Sequence, residues 1–141
     1  CAACAGRAHT HVRALKEIIM AVTQIDLSPP TGTKMYKNTD LDGTASAVKA
    51  SAATLYAVII DNTANSSVEF VKFYDIASGS ATVGTLAPDW IFKIAASVKK
   101  TITIPEGMAF ATALTAACVT TAGTAGTTNP VADVAVDIVY A

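Results

Sequence analysis

From Thr54 onward, apolar and polar side chains alternate almost one for one. In ASVKKTITIP (96–105), Ile102 and Ile104 fall on one side, Thr101 and Thr103 on the other. In VADVAVDIVYA (131–141), Val134, Val136, Ile138 and Tyr140 oppose Asp133, Ala135 and Asp137. A period of two belongs to the β-strand, whose successive side chains leave opposite faces. TLYAVIID (54–61), SVEFVKFYD (67–75), DWIFKIA (89–95) and MAFATALTAACVTT (108–121) bring the set to six strands. Between them stand NTANSS (62–67), IASGSATVGTLAP (76–88), EG (106–107) and TAGTAGTTNP (121–130), all turn or loop composition, with no helical window. A strand with one apolar face buries it against a second sheet, so the pattern predicts an all-β antiparallel sandwich or jelly roll over 53–141. Tyr56, Phe70, Phe73, Tyr74, Trp90, Phe92, Phe110 and Tyr140 are the expected sources of core volume. The alanine- and threonine-rich stretch 111–128 lacks that volume; its small side chains suit close approach by a neighbour or a thin part of the sandwich.

The first third reads differently. Val12, Leu15, Ile19 and Val22 recur at spacings of three and four, with Arg13, Lys16, Glu17 and Gln24 largely off the stripe. That spacing predicts a short helix over 8–24, although the β-branched IIMAVTQIDL also suits a strand. Pro29 and Pro30 end any regular element. KMYKNTDLDGTASAVKASA (34–52) is small and polar, and reads as part of a linker over 28–52 with Leu41 and Val48 as its contacts. Residues 1–52 are thus expected to be an N-terminal arm and 53–141 the domain.

The totals narrow the function classes. The net charge is -1, which argues against a surface built to neutralise nucleic-acid phosphates. Only 15% of residues are charged, against about 25% in ordinary soluble domains, and the mean hydropathy is +0.44. Too few charges to cover a whole surface imply that other subunits cover part of it. No apolar run approaches the roughly 18 residues of a membrane span. The first residue is a cysteine, so the start is processed, truncated or incompletely known; Cys1 also matches the lipid-anchored end of a secreted surface subunit.

Four segments, in order, carry a resemblance: YAVIIDNTANSSVEFVKFYD (56–75), TVGTLAPDWIFKI (82–94), TITIPEGMAF (101–110) and CVTTAGTAGTTNP (118–130). The chain over about 56–139 resembles small β-rich proteins encoded by tailed bacteriophages, often those of cyanobacteria and other aquatic bacteria. The resemblance implies a virion component assembled in the bacterial cytoplasm: a capsid decoration or cement protein, or an accessory part of a tail or fibre. It implies other virion subunits, the major capsid protein above all, as partners, together with copies of the same chain. Nucleic acid and membrane are not expected partners. The alternatives are a receptor- or glycan-binding fibre module, with Trp90 or Tyr74 stacking a sugar, and a subunit of a secreted surface appendage. The motifs also have a local reading: Asp61-Asn62-Thr63 opens a turn through its own side chains, Pro88-Asp89 starts a strand, and Pro105-Glu106-Gly107 puts glycine where φ is positive.

Reactive chemistry finds little footing. Cys1, Cys4, His9 and His11 are zinc-ligand types, but the two pairs are only four residues apart, where zinc modules leave a loop of about a dozen. A frayed end of small residues is the plainer reading, with a Cys1–Cys4 or intersubunit disulfide as the alternative. Cys118 lies in an apolar strand with no histidine after His11, and reads as a small buried hydrophobe. Asp40 and Asp42 in TDLDGT are half of a calcium loop without its remaining ligands, and read as a solvated turn. Glu69 with Asp75, and Asp133 with Asp137, read as the wet sides of their strands. Gly79, Gly84, Gly123 and Gly126 form no nucleotide-binding pattern. Asn65-Ser66-Ser67 is formally a glycosylation sequon. No catalytic, cofactor-binding or metal-ligating residue is assigned, no cofactor is expected, and the chain is read as a non-enzyme.

Overall fold

The structure is a computed structural model that describes residues 33–141. It holds eight strands: β1 (Lys34–Asn38), β2 (Ser46–Lys49), β3 (Ala53–Asp61), β4 (Glu69–Tyr74), β5 (Trp90–Ile94), β6 (Lys99–Phe110), β7 (Leu114–Val119) and β8 (Ala135–Tyr140). They form two four-stranded sheets, β1-β8-β3-β6 and β2-β7-β4-β5, paired antiparallel throughout. β1 pairs with β8, β2 with β7, β3 with β6 and β4 with β5. The chain is therefore one long hairpin with β4 and β5 at its tip, rolled so that β3 also meets β8 and β4 also meets β7. That is the jelly-roll winding of an antiparallel sandwich.

All six strands expected after residue 53 are present, and Leu41 and Val48 are buried. The linker expected over 28–52 does not hold from Lys34 onward. KMYKN and SAVK are strands that fill the first place in each sheet, so the sandwich begins at Lys34 rather than at residue 53. Both are short and polar, and their partners β8 and β7 hold them extended. The helix expected over 8–24 lies outside the described residues.

The core lies between the sheets. Leu55, Val58, Ile60, Phe110, Val136 and Ile138 come from one sheet; Val48, Val71, Phe73, Ile94, Leu114, Ala116 and Cys118 come from the other. Phe73 is its centre, edge-on to Phe92 at 5.5 Å between ring centroids and tilted against Phe110 at 6.4 Å. Trp90, expected in this core, instead sits at the margin and is 48% exposed.

A shift of register decides which face of β3 is buried. Leu55 faces Met108 on β6, whereas Ala57 faces Thr103. Tyr56 on one strand and 104–107 on the other stand outside the ladder. The irregularity reverses the alternation, so Leu55 and Val58 both reach the core although three residues apart. Pro105-Glu106-Gly107 therefore makes a bulge inside one long strand, not a turn between two. Gly107 has φ +74°, and a Cβ there would strike Thr54 and Tyr56. The turn that separates β6 from β7 falls at 111–113, which divides the stretch expected as one strand over 108–121.

Candidate interaction surface

The outward face of β2-β7-β4-β5 is not wet. Lys72 and Tyr74 on β4, and Thr115, Ala117 and Val119 on β7, all point away from the core yet are fully buried. The loops 75–89 and 120–134 cover them. Thr115 Oγ1 donates to the Ile76 carbonyl at 2.6 Å, and Lys72 Nζ donates to the Gly126 carbonyl at 2.8 Å and the Thr124 carbonyl at 3.4 Å. Burial lowers the Lys72 pKa, since the charged form lacks water and has only carbonyl dipoles around it. Glycines in both loops permit this packing: a Cβ on Gly84 of the first would strike Thr127 of the second, and one on Gly126 of the second would strike Thr121.

The outward face of β1-β8-β3-β6 is different. Met35, Lys37, Thr101 and Thr103 are exposed, and Ala57, Ile59, Ala135, Asp137 and Val139 are half-buried. Two ion pairs join register partners on neighbouring strands, Lys37–Asp137 at 3.4 Å and Lys99–Asp61 at 3.2 Å. The Asp61 carboxyl is held below its usual range by the Thr63 hydroxyl first, then by the Thr63 amide and Lys99. A shallow dent between the pairs is lined by Ile59, Asp61, Lys99, Ala135, Val136 and Asp137, with room for roughly one or two waters. The result is a sheet face with an apolar row across three strands (Met35, Val139, Ala57) beside a row in which Asp137 stands between Lys37 and Ile59.

The acids, amides and thiol singled out in the sequence are dispersed. Cys1, Cys4, His9 and His11 lie outside the described residues. Asp42 Oδ1 accepts the Thr44 amide at 2.7 Å, and the Asp40 amide donates to Asn38 Oδ1 at 2.9 Å, so this segment makes tight turns with its own side chains. Cys118 is fully buried, and burial first, with the Glu69 charge adding to it, pushes its thiol up to about 12. Glu69 is not on a wet face: it is fully buried, takes the Ser67 hydroxyl on Oε1 at 2.6 Å, and among the described residues has no partner on Oε2. Asp133 is exposed, and Asp137 is paired with Lys37. Tyr74 is buried and offers no stacking face, which leaves Trp90. Among the described residues, no three His, Cys, Asp or Glu side chains converge to hold a metal.

Sequence reading misses how much polar side-chain capacity goes to the main chain. The Asp75 carboxylate accepts the amides of Ala111 at 2.7 Å, Thr112 at 2.6 Å and Ala113 at 3.2 Å, and so closes the β6–β7 turn. Desolvation pushes this carboxyl up, but the three amides outweigh it and hold it below the usual aspartate range. Asp89 Oδ2 in turn accepts the Asp75 amide at 2.6 Å. Asn62 donates to the carbonyls of Ser67 and Ala95, both at 3.0 Å. Asn65, the sequon residue, is 2% exposed and exchanges two hydrogen bonds with the main chain of Ala132. The only signal in the sequence is local: each of these residues stands at the end of a strand or in the turn that follows it.

Compared with family models, curated proteins and solved structures, the chain matches none.

Proposed function

We propose that this chain is a structural protein of a bacteriophage virion, a capsid decoration or cement protein that works by contact rather than by chemistry. The observation that carries the proposal is the disposition of polar groups: Lys72, Asp75, Asp89, Asn62 and Asn65 each bond the main chain and so serve to hold the fold. Functional capacity is then left to surfaces. The face of β1-β8-β3-β6, which no other described residues cover, is apolar at Met35, Ile59 and Val139 with Lys–Asp pairs toward one end, and suits a lattice of larger subunits: its apolar part excludes water on contact, and its charges fix orientation. The four phage-like segments support the same reading.

Imaging the particle whose genome encodes this chain tests the proposal. The expected result is a fixed stoichiometry with the major capsid protein and density against the Ile59 face. An Ile59→Lys variant that folds is expected to be lost from particles; absence of the wild-type protein from particles overturns the proposal. The half-exposed Trp90 favours a second reading, a glycan-binding fibre module, for which binding to a glycan array abolished by Trp90→Ala is the expected signature.

A further inference from the structure

We draw no further inference here: the strongest candidate, the buried side-chain cluster at one end of the core where Glu69 Oε2 and Asn62 Oδ1 each lack a hydrogen-bond partner among the described residues, carries nothing because nothing in the structure shows what either oxygen meets.

Discussion

Removing the Asp75 carboxylate should open the corner between β6 and β7. In Asp75→Ala the amides of Ala111, Thr112 and Ala113 lose their acceptor together. A hydrogen bond to a charged group is worth about 1.5–3 kcal/mol when buried. Asp75 is half-buried, so water replaces part of each bond, and about 1 kcal/mol apiece is the appropriate figure. The expected loss is about 3 kcal/mol, or roughly 10 °C in Tm for a domain of this size. Asp75→Asn keeps one carbonyl oxygen and should lose about half as much. The pH dependence follows from the depressed folded-state pKa. Stability from this carboxylate is fully present above the unfolded value of about 4 and is lost as pH falls through the folded value. Urea unfolding of wild type and both variants at pH 7 and pH 3 is the assay. The gap between wild type and Asp75→Ala should narrow at pH 3. A loss under about 1 kcal/mol, or a gap unchanged between the two pH values, refutes the assignment of the carboxylate as the cap of this turn.

Asn65→Ala leaves the Ala132 amide and carbonyl without partners under the β7–β8 loop; it should cost about 2 kcal/mol and deprotect the Ala132 amide in hydrogen exchange, and full retention of protection contradicts the role. With Cys1 and Cys4 replaced by serine, a thiol reagent at pH 8 should label Cys118 only as fast as the protein unfolds, because the thiol is buried and titrates at about 12; rapid labelling in native buffer contradicts that burial.

Much of the sandwich is legible from strand alternation, because a half-buried strand writes its two faces into alternate letters. VADVAVDIVYA states its register outright. KMYKN and SAVK do not: each has few inward side chains, and their extended form depends on partners far away in the sequence. The bulge at 104–107 reads as a turn because proline and glycine signal a break in the ladder without saying whether the strand resumes. Lys72 looks like any wet lysine. Its flanks carry the missing information, since Phe70 and Tyr74 are large apolar bodies on the same outward face, and a strand with bulky residues on both faces is covered on both. The loops that cover it are made of residues so small that composition alone does not give them a packing role.

The nesting of the strands also dictates an order of events during synthesis. β8 lies in its sheet between β1 and β3, yet it reaches the ribosome exit last of the eight, about a hundred residues after the strand it joins. Until Tyr140 has emerged, β1 and β3 have no bridge between them, and the apolar sides of Leu55, Val58 and Ile60 lack the Val136 and Ile138 that close over them. Until β8 is made, the sheet therefore lacks its bridge and the apolar side of β3 stays open, the exposure that late, long-range strand pairing entails.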